Sequence, residues 1–229
     1  MSSASTVKPK QQTTAVKPKP VIAAKQTYPT KWSKTDITFD PSKLEFIAFY
    51  NPDEGANIRF THFPLNGMFG FPIGGNFYEC EIKFVMGDKK EYTANNSEVL
   101  FQANKSNDSA TIKKIVESTA GSAFRLGRAV KDLRADWDTA RFDIMYQIVL
   151  AKFTQNLDLK QMLLETGNRY LVEHTPKDKY WADGGNGNGQ NNLGIVLMMV
   201  REALGGIGVV KAPKQYHDWL IEPTGHIGA

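Results

Sequence analysis

The chain has 229 residues and a formal net charge of +4, with one cysteine, Cys80, and four histidines. A single cysteine excludes an internal disulfide bond and a cysteine-built metal site, and the histidines lack the spacing of metal ligands. No apolar run reaches the length of a membrane span, and no apolar segment follows Met1 as in a secretory signal. These features predict a protein of a reducing compartment, the cytoplasm by default, with no metal, no cofactor and no membrane partner; organelle targeting stays open.

Charge is unevenly distributed along the chain. Residues 1–35 hold seven lysines and no acidic residue, so the remaining 21 basic and 24 acidic residues give the rest a charge of about −3. Repeated Lys-Pro pairs and the scarcity of bulky apolar residues predict a disordered segment. Such a tail can bind nucleic acid through its lysines, although most are solvated linkers. We therefore expect a disordered basic tail at 1–35, a folded domain at 36–210 and a C-terminal extension at 211–229.

The first part of the predicted domain shows the alternation typical of β-strands. Apolar residues at 44, 46, 48 and 50 share one face of a first strand, and those at 78, 80, 82, 84 and 86 share one face of a second. Gly87-Asp88 predicts a hairpin turn into a third strand at 91–93. Residues 51–75, rich in Gly, Pro, Asn and aromatic residues, predict a long loop between the first two strands.

From Asn95 onward the apolar spacing becomes helical. Helices are predicted at 98–104 and 110–118, from about Ser122, from about Trp137, and at 159–166, where Gly167 has the position of a C-cap. A short strand at 170–173 follows, and a last helix ends at Gly205-Gly206. Few strands followed by clustered helices predict an α+β fold, with a small N-terminal sheet and a mostly helical remainder.

A glycine-rich segment precedes that last helix. Residues 179–194 contain five glycines interspersed with asparagines, and a single acidic residue, Asp183, which follows Ala182. Glycine loses more backbone entropy on folding than any other residue, but it lets main-chain N–H groups approach a ligand closely. A helix that starts after such a loop can bind an anion. A surface loop capped by Asn191 or Asn192 is an equally good interpretation of this segment.

Three polar residues of the first predicted helix share one face. Glu98, Gln102 and Lys105 stand at i, i+4 and i+7, so a helix would line one wall with a carboxylate, an amide and an ammonium. An acid three residues after Asn95 at a helix start also fits a capping box. Taken singly, the pattern favours the cap for Glu98 and an ordinary solvated lysine for Lys105.

Trp137 stands between two aspartates at a predicted helix start, one of which is expected to be the N-cap. A tryptophan is most often a core residue, but beside a loop it can also stack on a base. Arg125 and Arg128 lie three residues apart, and Arg141 is one turn beyond Trp137. Arginines so arranged can bind a phosphate, although they more often pair with acids on a helix surface.

Several motifs occur together in one order. They are Phe49-Tyr50, Ser97-Glu98, Phe101-Gln102-Ala103 with Lys105, Leu126-Gly127-Arg128, the acid-flanked Trp137, Ala151-Lys152-Phe153 with Gln155-Asn156, Leu163-Leu164-Glu165-Thr166-Gly167, Leu171-Val172-Glu173-His174-Thr175, Tyr180-Trp181-Ala182-Asp183-Gly184-Gly185 and Asn192-Leu193-Gly194 with Leu197-Met198 and Arg201-Glu202. With these motifs in this order, the chain resembles the NADAR family, the YbiA-like N-glycosidases. The resemblance spans roughly residues 49–204, and no single motif would have been sufficient.

The resemblance implies an α+β domain that hydrolyses the N-glycosidic bond between a phosphorylated ribose and a base-like amine. In the YbiA-like branch the substrates are early riboflavin-pathway intermediates, aminopyrimidines on ribose 5-phosphate. Other branches are linked to ADP-ribose, including its removal from guanine in nucleic acid. The residues that the resemblance implies are functional are Glu98, Trp137 and Asp183, with Lys105, Arg128, Tyr50, Trp181, Gly184 and Asn192 as substrate contacts.

Cleavage of a ribosyl C–N bond builds positive charge on the sugar and negative charge on the base, so two carboxyl groups in different environments can divide the work. The resulting hypothesis places Glu98 on the sugar side and uses Asp183 to orient the ribose or protonate the base, or the reverse. Trp137 would stack on the base. Lys105, Arg128 and the N–H groups of the 184–192 loop would hold phosphate.

Two alternatives remain open from the sequence. A module that binds ADP-ribose or NAD without turnover would use the same stacking residue and loop but needs no paired acids. A nucleic-acid-associated enzyme would use the lysine tail to reach DNA or RNA. The sequence also leaves open whether His174 lies in the pocket, and it does not give the oligomeric state.

Overall fold

The computed structural model describes residues 45–49 and 72–221. The first half contains strand β1 (Phe46–Phe49), a 3₁₀ turn (Pro72–Gly74), strands β2 (Ile82–Val85) and β3 (Glu91–Ala94), and helices α1 (Ser97–Ala103), α2 (Ser109–Val116) and α3 (Ala120–Arg128). The second half contains α4 (Trp137–Gln155), α5 (Leu157–Glu165), strand β4 (Tyr170–Glu173), α6 (Asn192–Ala203) and α7 (Lys214–Ile221). The α+β class is confirmed. The predicted tail at 1–35 and most of the predicted loop at 51–75 lie outside the described residues.

The strands form two separate pairs. β1 runs parallel to β4, with Phe46 opposite Tyr170 and Phe49 opposite Glu173, whereas β2 and β3 form an antiparallel hairpin. The predicted N-terminal sheet is therefore divided, because β1 pairs with a strand far along the chain. The alternation of apolar residues predicted that one face of this strand is buried. All four β1 residues are buried, so the strand is covered on both faces.

The second predicted strand is shorter than its pattern. β2 begins only at Ile82, and Tyr78 instead lies in a turn, where its N–H donates to the carbonyl of Gly75. The other edge of β2 is covered by α4: the side-chain amide of Gln155 bonds both the N–H and the C=O of Lys83, each at 2.8 Å. The hairpin turn at Gly87-Asp88 is confirmed between β2 and β3.

Polar side chains cap the starts of the first three helices. Asn96 caps α1, Asp108 caps α2 and Thr119 caps α3, each by a side-chain oxygen that accepts a backbone N–H. Asp136 occupies the N-cap position of α4, as expected of one of the two aspartates, but its side chain makes no capping bond, because the carboxylate accepts from the guanidinium of Arg134 at 2.6 and 2.8 Å. Gly167 follows α5 at φ +60°, the left-handed conformation expected of a C-cap.

The core lies between α4 and α6. Apolar residues at helical spacing on both helices are fully or almost fully buried: Met145, Ile148, Val149, Phe153, Leu193, Val196, Leu197 and Val200. α6 also packs against β4, and α1 packs against α3 and α4. This packing fixes the position of α1 relative to the end of β4. None of the described helices is both long and apolar enough to cross a membrane.

The predicted C-terminal extension contains a helix that the apolar pattern did not indicate. Tyr216 of α7 is 2% exposed, and its ring packs at 5.3 Å from Phe46 and 5.5 Å from Tyr170. Part of the 211–229 segment therefore covers the β1–β4 pair.

Candidate active site

A cavity of about 360 Å³ lies between the face of α1, the first turns of α4, the end of β4 and residues 75–77. Its charged lining residues are three acids and three bases: Glu98, Glu173, Asp178, Lys105, Arg141 and Lys177. Its aromatic lining residues are Phe77, Phe101, Phe124, Trp137 and Trp181. Of the sequence-predicted site residues, the structure brings Glu98, Lys105, Trp137 and Trp181 together here.

Glu98 is held at the start of α1 with its side chain 6% exposed. The capping role suggested for it is taken by Asn96, whose side chain accepts the N–H of Val99 at 3.0 Å. The side-chain amide of Gln102 donates to Glu98 Oε1 at 2.8 Å. Burial raises the pKa of Glu98 to about 7, against the opposing effects of the Gln102 hydrogen bond and the Lys105 charge.

Glu173 is a second acid in the cavity, partly buried at the end of β4. Its N–H donates to the Asn191 side chain at 3.0 Å, and its C=O accepts the N–H of Asp183 at 2.9 Å. Partial removal of its carboxyl group from water, together with the charges of Asp178, Glu98 and Asp183, raises its pKa to about 8. Sequence analysis did not propose Glu173 as a site residue, although an acid directly after the apolar residues of a short strand is a usable signal.

Aromatic rings and cations form the rest of the cavity. Trp137 is 8% exposed, and its ring lies 5.0 Å from that of Phe101, which also meets Trp181 edge-to-face at 5.3 Å. The ammonium of Lys105 lies 5.6 Å from the Trp137 ring. Burial lowers the pKa of Lys105, as does the nearby Arg128, while Glu98 raises it. Trp137 is therefore both a packed residue and part of the cavity wall.

Two arginines differ in their relation to the cavity. Arg141 lines it and lies over the Tyr180 ring at 3.8 Å. Its buried Nε has no hydrogen-bond partner among the described residues. Arg128 is exposed and does not line the cavity; its guanidinium lies 5.6 Å from the ring of Phe124, which does. Of the two cations predicted as substrate contacts, Lys105 lines the cavity and Arg128 does not, whereas Arg141 also lines it.

The structure does not place Asp183 in the cavity lining. Its carboxylate is 1% exposed and is engaged by His174 Nδ1 and the Tyr216 hydroxyl, both at 2.6 Å. It also accepts the N–H groups of Thr175 and Gly185. Burial alone would raise the pKa of Asp183, but these hydrogen bonds lower it. His174 is likewise buried in this cluster, so the cluster organises the chain next to Glu173.

The glycine-rich loop closes on itself. The N–H of Gly184 donates to Asp178 O at 3.1 Å and that of Asn192 to Tyr180 O at 3.2 Å. The backbone of Asn191 has a φ of +50°. Its side chain donates to Leu171 O at 2.9 Å and accepts the N–H of Glu173. Gly184 and Asn192 therefore do not line the cavity, and the loop supports the end of β4. Tyr50 lies outside the described residues.

Within the described residues, no group of three or more His, Cys, Asp or Glu side chains has the arrangement needed to hold a metal ion. The cavity instead combines two acids whose pKa values are raised, an aromatic wall and cations. Such a site can bind a molecule that has a flat ring and a negatively charged group.

Residues 71–205 match the NADAR domain, well over half of the chain. The chain belongs to the NADAR family. This family domain contains α1 to α6 and every residue that lines the cavity. The predicted resemblance is therefore confirmed for the part of the chain that carries the site.

Curated relatives and a solved structure agree with this assignment. The chain is 41% identical over 160 residues to a riboflavin biosynthesis protein of Vibrio vulnificus, across 69% of this chain and 38% of that protein. It is 43% identical over 110 residues to the N-glycosidase YbiA of Escherichia coli, across 47% of this chain and 69% of that protein. The NMR structure of E. coli YbiA superposes with a TM-score of 0.55 at 34% identity, covering 70% of this chain and 86% of that one. The chain thus spans well under half of the V. vulnificus relative.

Proposed function

We propose that this protein is an N-glycosidase that hydrolyses the ribosyl C–N bond of phosphorylated aminopyrimidine intermediates of riboflavin biosynthesis. The observation that carries the proposal is a pair of acids, the buried Glu98 and the partly buried Glu173, that line one cavity with raised pKa values. The names of the relatives, N-glycosidase YbiA and riboflavin biosynthesis protein, support the bond type and the substrate class.

The two acids suit a division between base and proton donor. Glu98 has an amide donor and Lys105 beside it, and both favour its ionised form. Glu173 faces other acids, which favour its protonated form. In the proposed reaction Glu98 takes a proton from the water that attacks C1′. The C–N bond breaks with its electron pair going to the base nitrogen, and Glu173 supplies the proton that this nitrogen needs.

The rest of the cavity suits binding of the substrate. Trp137, Phe101 and Trp181 form a wall on which the pyrimidine can stack. Lys105, Arg141 and Lys177 supply positive charge for the phosphate, and Arg141 has a buried donor not used within the described residues. Arg128 remains a proposed contact at the exposed side of Phe124.

Asp183 takes a supporting role in this proposal. Its four hydrogen bonds join residues 174–175, 185 and 216. Because Glu173 precedes His174 directly and its C=O accepts the Asp183 N–H, the cluster fixes the backbone from which Glu173 projects. Loss of Asp183 would then reduce activity through Glu173 and not through direct contact with the sugar.

The proposal is tested by product analysis. The purified protein is incubated with an aminopyrimidine ribose 5-phosphate, and separately with ADP-ribosylated guanine in DNA and with NAD. We expect free aminopyrimidine and ribose 5-phosphate by mass spectrometry in the first reaction. Product only from the ADP-ribosylated DNA would show that the substrate is ADP-ribosylated nucleic acid and not an aminopyrimidine. Thermal stabilisation by NAD without any released base would indicate a binding module instead.

A further inference from the structure

Lys152 is a buried lysine that the proposed reaction does not use. It lies in the last turn of α4, 1% exposed, and is among the largest fully buried side chains of the described residues. Lysines are almost never fully buried unless their charge is matched by hydrogen-bonding partners. Burial lowers the pKa of Lys152 to about 8.

Its partners are concentrated on one short segment. The ammonium donates to Ile73 O at 2.7 Å and Gly75 O at 3.0 Å, and it lies 5.5 Å from the Tyr78 ring. The two hydrogen bonds tie residues 73–75 to α4 across 79 and 77 positions of the sequence. Two carbonyl groups pointing at one cation would be left without their partner if the ammonium were removed.

The segment that Lys152 holds also contacts α1, the helix that carries Glu98. Gly75, Asn76 and Phe77 line the cavity, and Asn76 O accepts the N–H of Glu98 at 3.0 Å. The first N–H groups of a helix have no partner within the helix, so Asn76 supplies one of those missing at the start of α1. A continuous chain of contacts therefore runs from Lys152 through residues 75–76 to Glu98.

We propose that Lys152 is a positioning residue for the active site: its ammonium holds residues 73–77 against α4, and Asn76 in turn fixes the start of α1 and hence Glu98. The catalytic part of this inference rests on the proposed N-glycosidase function. The positional part is a property of the fold and can be measured without substrate.

The test uses Lys152→Met, which keeps the length of the side chain but removes its donors. Leu163→Ala is the matched control, because Leu163 is fully buried in α5 and does not line the cavity. Both variants are expected to lose stability, so both are measured at a temperature where they remain folded.

Two readouts separate positioning from stability. The first is kcat on the aminopyrimidine ribose phosphate, which should fall about 10- to 100-fold in Lys152→Met, more than KM rises, and stay within about threefold in Leu163→Ala. The second is amide hydrogen exchange of Glu98 relative to Val99, whose N–H is bonded to Asn96 instead. That ratio should rise in Lys152→Met and stay unchanged in Leu163→Ala.

Wild-type kcat together with a wild-type exchange ratio in Lys152→Met would overturn the proposal. If Lys152→Met does not fold, Lys152→Gln, whose shorter amide cannot hold both carbonyls, is measured in the same way and judged by the same two criteria. If the wild-type protein cleaves no offered substrate and the exchange ratio still rises in the variant, the positioning of Glu98 stands and the proposed reaction fails.

Discussion

Glu98 and Glu173 line the same cavity but differ in their electrostatic surroundings. Gln102 and Lys105 favour the ionised form of Glu98, while Asp178, Glu98 and Asp183 oppose ionisation of Glu173. Burial, the largest effect at both, disfavours the charged form. The two groups therefore hold their protons to different pH values, which is the condition for one to act as base and the other as acid.

Replacement of the proposed base tests this assignment directly. Glu98→Gln keeps the shape of the side chain but removes the proton acceptor, so we expect kcat to fall about 10²- to 10⁴-fold with an unchanged circular dichroism spectrum. Glu165→Gln is the matched control, because Glu165 is exposed on α5, and it should keep wild-type kcat. Near-full turnover in Glu98→Gln would remove Glu98 from the mechanism.

The pH dependence of the reaction follows from the two raised pKa values. Below about pH 7 Glu98 becomes protonated and can no longer accept a proton, and above about pH 8 Glu173 loses the proton that it must donate. We expect kcat/KM to be bell-shaped with its maximum between these values. Glu173→Gln should lower the maximum and remove the alkaline limb. A profile that stays flat from about pH 5 to about pH 9 would contradict the paired roles.

At the scale of elements, the contact between α1 and α3 controls the surroundings of Glu98. Gly127 of α3 faces Gln102, the residue that donates to Glu98. A Cβ at Gly127 would lie 2.8 Å from Gln102 Cβ and would also meet its Oε1. The close approach of these two helices therefore requires a residue without a side chain at this position.

Two substitutions in the same helix separate this packing effect from helix propensity. Alanine favours a helix over glycine by up to about 1 kcal/mol, so Gly121→Ala, whose Cβ would meet nothing within 4 Å, should stabilise the protein. Gly127→Ala should instead cost about 1 to 3 kcal/mol through overpacking and lower kcat by moving Gln102. Thermal unfolding and kinetics measure both effects. Equal behaviour of the two variants would show that the α1–α3 contact relaxes freely.

At the scale of the whole molecule, α7 joins the C-terminal segment to the support of the active site. The Tyr216 hydroxyl donates to Asp183, and its ring packs against β1 and β4. The pKa of Asp183 is lowered by its hydrogen bonds, so its contribution to stability is present near neutral pH and is lost as the pH falls towards the lowered pKa.

Removal of one hydroxyl tests the link between α7 and Asp183. Tyr216→Phe keeps the ring but removes a hydrogen bond to a buried charge, so we expect a loss of about 1.5 to 3 kcal/mol in the free energy of unfolding. Tyr146→Phe is the control, because Tyr146 is only partly buried and its hydroxyl has no hydrogen-bond partner among the described residues. Chemical denaturation of both variants compares them, and equal stabilities would mean that α7 does not anchor this cluster.

Much of the fold could be predicted because its signals are local. Apolar spacing located α4, and the bounds of β4 were predicted to the residue, since both depend on side-chain periodicity over a few turns or a few residues. The divided sheet could not be predicted, because the pairing of β1 with β4 joins segments more than 100 residues apart and leaves no local pattern. The helix α7 was not predicted, because its buried tyrosine, Tyr216, bonds to Asp183, a residue far from it in the sequence, and so leaves no local pattern.

The sequence by itself determined the family, the α+β class and the position of Glu98 and Gln102 on one face of α1, because helical spacing sets that arrangement. Lys105 lines the same cavity from the turn that follows Ala103. Only the tertiary structure decided which second acid shares the cavity. Asp183 and Glu173 lie ten residues apart in the same motif region, and both are carboxylates. The difference lies in their partners: hydrogen bonds from His174, Tyr216 and two backbone N–H groups occupy Asp183, while the end of β4 places Glu173 in the cavity with Glu98. Such long-range satisfaction of a buried charge is a property of packing, which no short stretch of sequence encodes.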